Sequence, residues 1–230
     1  MVPRRSLSYL ITGGTGSLGQ ALTRRLLSHP ETERVIVFSR GERAQAEMRR
    51  LFADRRVEFH IGDVRSPVAL EDSLRARRLD VVVHAAALKR IEVCEANYDE
   101  ARETNIIGTA NVCRAARLAG IPRVLVISSD KAAEPVTAYG ATKAAAESEA
   151  LGQAGLSGAS GTEFVALRYG NVIDSAGAVL YAFRDALARQ TPMILTHAEM
   201  TRFWWTVDQA AEFVQLVASL RGTGQIWVPK

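Results

Sequence analysis

Cysteine, lysine and long apolar runs are all scarce in this sequence of 230 residues. Hydrophobic residues make up 47% of the chain, yet no apolar run approaches the roughly 20 residues that a helix needs to span a bilayer. The first apolar stretch, Leu7 to Ile11, is too short for a signal peptide and leads directly into glycines. We therefore interpret it as a strand and predict a protein without a membrane span.

The two cysteines, Cys94 and Cys113, lie in helical patterns that lack the spacing of metal ligands. Such cysteines are ordinarily buried thiols that pack like small hydrophobic residues. We therefore expect neither a disulfide nor a bound metal. Nothing in the sequence requires an oxidising compartment, which favours the cytoplasm.

Lysine occurs only at Lys89, Lys131, Lys143 and Lys230, although the chain has 29 lysines and arginines together and a net charge of +4. The arginines are scattered in pairs along helical patterns, with no basic run interleaved with aromatics, so we predict no nucleic-acid partner. An ammonium group can lose its proton and a guanidinium in practice cannot. A site that needs a titratable cation must therefore use lysine, and three of the four lysines lie in segments with chemical motifs.

Strand and helix patterns alternate along nearly the whole chain, and most strands are continuous apolar runs, as a sheet covered on both faces requires. We predict an α/β Rossmann fold, a doubly wound parallel sheet with helices on both faces. Residues 1–230 would form one domain, with about 170–230 as a reduced C-terminal substrate region. The predicted strands are Tyr9–Thr12, Val35–Phe38, Val57–Ile61, Val81–Ala85, Val124–Ser128, Phe164–Tyr169, Met193–Leu195 and Gln225–Val228. The predicted helices are Ser17–Ser28, Glu42–Phe52, Val68–Arg77, Asp99–Ala119, Ala138–Leu151, Ala178–Arg189 and Asp208–Leu220, and Gly152–Gly161 is predicted to be a mobile loop.

A glycine-rich turn follows the first predicted strand and opens a helix, with the sequence Thr12-Gly13-Gly14-Thr15-Gly16-Ser17-Leu18-Gly19. Glycines at this spacing make a tight turn, let backbone N–H groups approach a pyrophosphate, and pack the helix onto the strand. The position after the first strand of a βαβ pattern is the context that supports a dinucleotide site. The predicted cofactor contacts here are Gly13, Thr15, Gly16, Ser17, Leu18 and Gly19.

The end of the second predicted strand distinguishes NADP from NAD. An NAD site usually places an Asp or Glu there for the ribose 2′-hydroxyl. This chain instead has Ser39 and Arg40, with Arg43 one turn later, and such residues suit a 2′-phosphate. We predict NADP. The alternative is NAD, because Glu42 could still contact the ribose hydroxyl. Further cofactor contacts are predicted after the third and fourth strands, at Asp63, Val64, Ala85, Ala86 and Ala87.

The fifth predicted strand leads into Ser129-Asp130-Lys131, and the next helix carries Tyr139 and Lys143. Tyr139 and Lys143 are one helical turn apart and therefore share a face. The reference pKa of tyrosine is about 10, and we expect a nearby ammonium and an oxidised nicotinamide to lower the pKa of Tyr139. Ser129 can hold a substrate hydroxyl. The pattern predicts redox chemistry on an alcohol.

These motifs resemble the extended short-chain dehydrogenase/reductases, and most closely the bacterial C5-inverting UDP-N-acetylglucosamine 4,6-dehydratases and their capsule-biosynthesis relatives. The discriminating feature is the triplet Ser129-Asp130-Lys131, because other sugar-nucleotide dehydratases usually carry Asp-Glu there. The matching stretches are Thr12–Gly19, Phe38–Met48, His84–Arg90, Thr104–Val112, Ser128–Lys143, Arg168–Val172 and Met200–Phe203. The resemblance implies cofactor contacts from Lys89, Tyr139 and Lys143, and substrate contacts from Lys89, Arg168, Asn171, Met200 and Arg202. It also implies a homodimer or higher homo-oligomer through the helices Asp99–Ala119 and Ala138–Leu151.

The activity that the resemblance implies is an NADP-dependent 4,6-dehydration of a nucleotide sugar or nucleoside-like substrate. Tyr139 would take the C4 hydroxyl proton, Lys131 would remove the C5 proton, and Asp130 would protonate the departing C6 hydroxyl. One alternative is an oxidoreductase or epimerase acting on a related or smaller substrate without elimination. Another is a non-catalytic Rossmann protein, although such proteins tend to lose the Tyr or Lys that this chain keeps. The chain departs from the family at Gly41, where Asp is usual, after Val172, where an arginine is usual, and in its shortened substrate region.

Overall fold

The computed structural model of the chain describes residues 6–75, 78–156, 158, 161–173, 179–193 and 197–230. The strands are β1 (Leu7–Thr12), β2 (Thr32–Ser39), β3 (Val57–Ile61), β4 (Val81–His84), β5 (Arg123–Ile127), β6 (Glu163–Leu167), β7 (Asn171–Val172), β8 (Trp204–Trp205) and β9 (Gln225–Trp227). The helices are α1 (Ser17–Leu27), α2 (Glu42–Leu51), α3 (Pro67–Arg75), α4 (Ile91–Ala96), α5 (Tyr98–Arg102), α6 (Gly108–Leu118), α7 (Ala138–Leu156), α8 (Val179–Ala188) and α9 (Val207–Ser219). No described helix is both long enough and apolar enough to cross a bilayer.

The main sheet has seven parallel strands in the order β3-β2-β1-β4-β5-β6-β9. Leu10 of β1 lies between Ile36 of β2 and Val82 of β4, so the chain winds outward on one side of β1 and then on the other. This reversal next to β1 is the point at which open α/β sheets form a crevice outside the carboxyl ends of their strands. The predicted Rossmann fold, with a doubly wound parallel sheet, is confirmed.

The two faces of the sheet bury separate cores, because successive residues of a strand point to opposite faces. Leu10 belongs to a cluster that includes residues of α3, α6 and α7, whereas Ile11 belongs to a cluster that includes residues of α1 and α9. Both side chains are fully buried, and burying a side chain of this size stabilises the fold by about 1.5–3 kcal/mol. Cys94 and Cys113 are buried free thiols on α4 and α6, as predicted.

The predicted helix Asp99–Ala119 is interrupted by a π-helical turn at Glu103–Ile107, between α5 and α6. Asn105 in this turn is buried and reaches the loop after β4, where it accepts a hydrogen bond from the Leu88 amide (2.7 Å) and donates one to the Leu88 carbonyl (2.9 Å). The turn therefore anchors the loop that carries Lys89. The short helix α4 follows that loop and is not predicted by the sequence patterns.

Two predicted segments near the C-terminal half differ from the structure. Helix α7 continues to Leu156, so the first part of the predicted loop Gly152–Gly161 is helical. In this extension, the side-chain amide oxygen of Gln153 accepts a hydrogen bond from Arg117 of α6. Met193 is not in a strand, and the rest of the predicted strand Met193–Leu195 lies outside the described residues. A separate parallel pair instead joins β7 to β8.

Candidate active site

The glycine-rich turn packs so closely that side chains would not fit at two of its positions. A Cβ at Gly13, whose φ is +64°, would lie 2.8 Å from backbone atoms of Ala86, and a Cβ at Gly19 would lie 2.2 Å from the Gly14 carbonyl oxygen. Helix α1 begins immediately after Gly16 without a side-chain cap and without an acidic residue in its first turn. The N–H groups of its first turn and the positive end of its dipole suit an anion such as a pyrophosphate.

A cleft of about 670 Å³ lies beside this turn and is bordered by residues that follow β1, β2, β3, β4, β5 and β6. Most of the residues predicted to bind the cofactor line it. They are Gly13, Thr15, Gly16, Ser17, Leu18, Gly19, Ser39, Arg40, Asp63, Val64, Ala85, Ala86, Ala87, Lys89, Tyr139 and Lys143. A volume of this size is in the range of cofactor and ligand pockets. In the described part of the chain, no group of His, Cys, Asp and Glu residues could hold a metal ion.

The cleft wall after β2 contains Ser39 and Arg40, but not Arg43. The Ser39 hydroxyl accepts a hydrogen bond from Gln45 of α2 (3.1 Å), and Arg40 lies 3.6 Å from the Asp63 carboxylate. Arg43 is 93% exposed and forms an ion pair with Glu47 one turn along α2. The structure therefore places two of the three predicted 2′-phosphate ligands at the cleft and directs Arg43 to a neighbouring carboxylate on the helix surface.

Ser129 and Lys131 line the cleft, and both contact Asp130. The Ser129 hydroxyl donates to Asp130 Oδ1 (2.8 Å), and Lys131 Nζ donates to the same oxygen (3.1 Å) and to Asn171 Oδ1 (2.7 Å). Asp130 itself is not among the residues of the cleft wall. A carboxylic acid group, an amine and a hydroxyl are thus held together where β5 ends.

Tyr139 and Lys143 lie on the face of α7 that borders the cleft, and burial shifts the pKa of both. Burial raises the pKa of Tyr139 to about 12, and the hydrogen bond with Ser129 opposes this shift. Burial lowers the pKa of Lys143 to about 8, and Glu147 opposes this shift. The expected lowering of the Tyr139 pKa is therefore not a property of the protein alone, because desolvation of the phenolate outweighs the stabilising groups around it.

A hydrogen-bonded histidine that the sequence patterns do not identify lies below the cleft. His84 Nδ1 is 2.7 Å from the Thr12 hydroxyl and Nε2 is 2.9 Å from the Thr109 hydroxyl. The Thr109 hydroxyl donates to the Asn105 carbonyl (2.6 Å), so it can only accept from His84, and Nε2 carries the proton. Burial first and Lys143 second lower the pKa of His84 to about 3. This side chain is therefore neutral at physiological pH.

The predicted substrate contacts divide into two groups. Lys89, Asn171 and Arg202 line the cleft, and burial lowers the pKa of Lys89. Arg168 and Met200 do not line it: Arg168 forms a bidentate ion pair with Glu147, and Met200 is 41% exposed. These positions differ from the contacts that the resemblance implies.

The cleft also has walls that the sequence patterns do not identify. Tyr169 and Trp204 line it near Asn171, together with Arg90 from the loop before α4. The backbone N–H of Asn171 donates to the Phe203 carbonyl (2.7 Å), which brings β8 against β7. Strands of two residues are too short to show an alternating pattern, so this pairing has no signal in the sequence.

A family of polysaccharide biosynthesis proteins matches residues 9–230. The chain belongs to this family. The inverting UDP-N-acetylglucosamine 4,6-dehydratase of Campylobacter jejuni is 38% identical over 222 residues, which cover 96% of this chain and 66% of that protein. The UDP-glucose 4-epimerase of Rickettsia bellii is 37% identical over 224 residues, which cover 96% and 65%. The chain thus spans 65–66% of the length of these relatives.

Two solved structures resemble this chain closely. Pen from Bacillus thuringiensis superposes with a TM-score of 0.93 at 33% identity, over 98% of this chain and 69% of that one. The dTDP-glucose 4,6-dehydratase DesIV from Streptomyces venezuelae, solved with NAD bound, has a TM-score of 0.86 at 26% identity, over 96% and 75%. The resemblance to the extended short-chain dehydrogenase/reductases and their C5-inverting dehydratases is confirmed.

Proposed function

We propose that this chain is an NADP-dependent nucleotide-sugar 4,6-dehydratase. The observation that carries the proposal is the position of Lys131. Its Nζ donates hydrogen bonds to Asp130 and Asn171. Lys131 lines the same cleft as Ser129 and Tyr139. Simple oxidation of an alcohol needs only the Ser-Tyr-Lys set. An added base and acid beside that set are what an elimination requires.

The cleft fits a dinucleotide at both of its ends. The close packing at Gly13 and Gly19 and the open end of α1 suit the pyrophosphate, and Arg40 supports a 2′-phosphate. Lys89, Tyr139 and Lys143 line the region where the nicotinamide would lie. When bound, the dinucleotide would accept hydride from C4 of the sugar and later return it to C6.

Tyr139 is the residue that would take the proton of the C4 hydroxyl. Its hydrogen bond with Ser129 places the phenol against the hydroxyl that would hold the same substrate oxygen. Because burial raises the pKa of Tyr139 to about 12, the phenolate depends on positive charge nearby. The Lys143 ammonium, one turn along α7, provides that charge from the protein.

Lys131 is the residue that would remove the C5 proton once C4 has become a ketone. A neutral lysine amine has two N–H donors and one lone pair. Asp130 and Asn171 accept from Nζ, which would occupy both donors and leave the lone pair for the C5 proton. Asn171 is thereby proposed to orient the base.

Asp130 is the residue that would protonate the C6 hydroxyl, which leaves as water while the C5–C6 double bond forms. Asp130 is not in the cleft wall, but its side chain is 26% exposed and is hydrogen-bonded to Ser129 and Lys131, which are. Both hydrogen bonds that the described residues donate to the side chain of Asp130 end on Oδ1, which leaves Oδ2 to carry the proton. Return of hydride to C6 and of a proton to C5 completes a net loss of one water.

The proposed substrate class is the one that the relatives' names give. A cytoplasmic location and a single domain over residues 1–230 stay predictions.

A second candidate is an oxidoreductase or epimerase without elimination, because the Rickettsia bellii relative at 37% identity is a UDP-glucose 4-epimerase. Lys131 separates the two activities. Lys131→Ala should still form NADPH in a single turnover with UDP-N-acetylglucosamine. It should form no C6 methyl group and take up no deuterium at C5 in D2O, as followed by NMR.

The exposed Lys230 supplies the control for this test. Lys230→Ala should retain the full reaction. Formation of the deoxy-keto product by Lys131→Ala at the normal rate would exclude Lys131 as the base. If the unsubstituted protein makes a product with an inverted C4 centre and no C6 methyl group, the epimerase would be the correct activity.

A further inference from the structure

Glu147 lies at the centre of a buried polar cluster beneath the Tyr-Lys pair. Its side chain is only 4% exposed, and Arg168 donates from Nε to Oε1 (2.8 Å) and from Nη2 to Oε2 (2.6 Å). The Ser128 hydroxyl also donates to Oε1. Both carboxylate oxygens are therefore satisfied, and the geometry is the bidentate arrangement that gives the strongest arginine–carboxylate pairs.

The cluster joins the two elements that carry the proposed catalytic groups, the segment after β5 and α7, to the segment after β6. Glu147 follows Lys143 by one turn of α7, Ser128 directly precedes Ser129 after β5, and Arg168 directly follows β6. Neither Glu147 nor Arg168 lines the cleft. Glu147 is buried with both oxygens bonded, and Arg168 is directed at Glu147 rather than at the cleft. We therefore expect any effect on the reaction to pass through neighbouring residues.

Stability alone is a weak reason for this pair, because a buried ion pair is often no better than packed apolar side chains of the same size. A structural account would also not require an anion one turn along α7 from Lys143, on the same face of the helix. We propose that Glu147 is a positioning residue that supplies the fixed counter-charge of Lys143, and that Arg168 acts by holding Glu147 in place rather than by binding substrate.

The charges around Lys143 support this assignment. His84 on β4 is neutral, since its pKa is lowered to about 3, and the neighbouring phenols Tyr139 and Tyr169 are neutral because burial raises their pKa. Glu147 is the group that opposes the effect of burial on the pKa of Lys143, which lies at about 8. Without that anion the ammonium would lose its proton closer to neutral pH. The charge that stabilises the Tyr139 phenolate would then be lost.

The scarcity of lysine makes a direct test possible. Lysine labelled with ¹³C at Cε should give four signals, which substitution of each lysine by arginine would assign. In Glu147→Gln the titration midpoint of Lys143 should fall by about one pH unit, because a neighbouring opposite charge shifts a pKa by about that much or more. In Arg168→Met it should rise, because the cation that partly neutralises Glu147 is removed while Glu147 keeps its place on α7 one turn from Lys143.

The opposite signs distinguish the proposal from a purely structural role, because both substitutions break the same ion pair. Arg168→Lys is the conservative control, which keeps the charge and should leave the midpoint near that of the unsubstituted protein. Equal midpoints in all variants, or shifts of the same sign in Glu147→Gln and Arg168→Met, would overturn the proposal. If Glu147→Gln does not fold, the two Arg168 variants decide: the midpoint must rise in Arg168→Met and not in Arg168→Lys.

The catalytic part of the inference rests on the proposed function and needs a second readout. The alkaline limb of the pH profile for NADPH formation should move to lower pH in Glu147→Gln and to higher pH in Arg168→Met. An alkaline limb that does not move while the Lys143 midpoint does would exclude a role in the reaction. The NMR titration uses neither substrate nor cofactor. It therefore tests the effect of Glu147 on Lys143 even if the protein is not a dehydratase.

Discussion

Replacement of Lys143 by methionine is predicted to stabilise the free protein at neutral pH. Lys143 is 3% exposed, and burial lowers its pKa from 10.5 to about 8. A lowered lysine pKa means that the charged form is less stable in the folded chain than in the unfolded chain. Methionine is unbranched, similar in length and uncharged, so it can fill the same space without that cost.

The size of the effect follows from the pKa difference. One pKa unit corresponds to about 1.4 kcal/mol, so the change from 10.5 to about 8 corresponds to roughly 3 kcal/mol of destabilisation at pH 7. The favourable effect of the Glu147 charge is already contained in that net pKa. Allowing for imperfect packing, Lys143→Met should raise the free energy of unfolding by about 1–3 kcal/mol. Since about 1 kcal/mol changes the Tm of a chain of this size by about 2–4 °C, the Tm should rise by several degrees.

The pH dependence gives the sharper measurement. Below pH 8 Lys143 is charged in both states, so its full cost is present. Between pH 8 and 10.5 the unfolded chain binds more protons than the folded chain, so the cost disappears as pH rises. Urea unfolding without added cofactor should therefore show a gain for Lys143→Met at pH 7 that shrinks by pH 10. Lys230→Met, at an exposed lysine, is the control. A lower Tm for Lys143→Met, or a gain that does not change with pH, would refute the reasoning.

Three further predictions concern the cofactor, the redox step and the assembly. Calorimetric titration should show tighter binding of NADP than of NAD, and Arg40→Asp should narrow or reverse that preference; tighter binding of NAD to the unsubstituted chain would contradict it. Tyr139→Phe should lower turnover by about 10²–10⁴, the usual value of a general base, with cofactor binding retained, and near-normal turnover would mean that another group is the base. Sedimentation at micromolar concentration should show a homodimer formed through α5, α6 and α7, and a monomer alone would exclude it.

The centres of the strands were predictable because strands buried on both faces are continuous apolar runs. The ends of the strands were harder to predict. Strand β2 begins at Thr32 rather than Val35, since the Thr32 hydroxyl donates to the Leu26 carbonyl (2.6 Å) and lets a polar residue start a buried strand. The π-helical turn at Glu103–Ile107 leaves no pattern of side chains, because it is a change of backbone hydrogen bonding. Helix α4 has six residues, fewer than two turns, which is too short for a periodic signal.

The site residues that were predictable are those whose neighbours in the chain define the motif. The glycine turn, the Ser129–Lys131 segment and the Tyr139–Lys143 pair each follow from local spacing. The direction of Arg168 does not, because its partner Glu147 is on another element. Arg43 did have a local signal, since Glu47 four residues later on a helix is a standard ion-pair partner, and the structure forms that pair.

Two buried networks lie beneath the cleft, and they differ in charge. The network around His84 is neutral, whereas the network around Glu147 is an ion pair with Arg168. A protonated His84 would add a second cation beside Lys143 and would make its ammonium harder to keep; the hydrogen bonds with Thr12 and Thr109 satisfy the neutral ring instead. Glu147, by contrast, is the proposed counter-charge of Lys143, and its bidentate ion pair with Arg168 compensates the burial of its carboxylate. Because the pKa of Tyr139 is about 12, formation of its phenolate depends on the positive charge of Lys143. The proposed redox chemistry would therefore depend on residues that do not line the cleft.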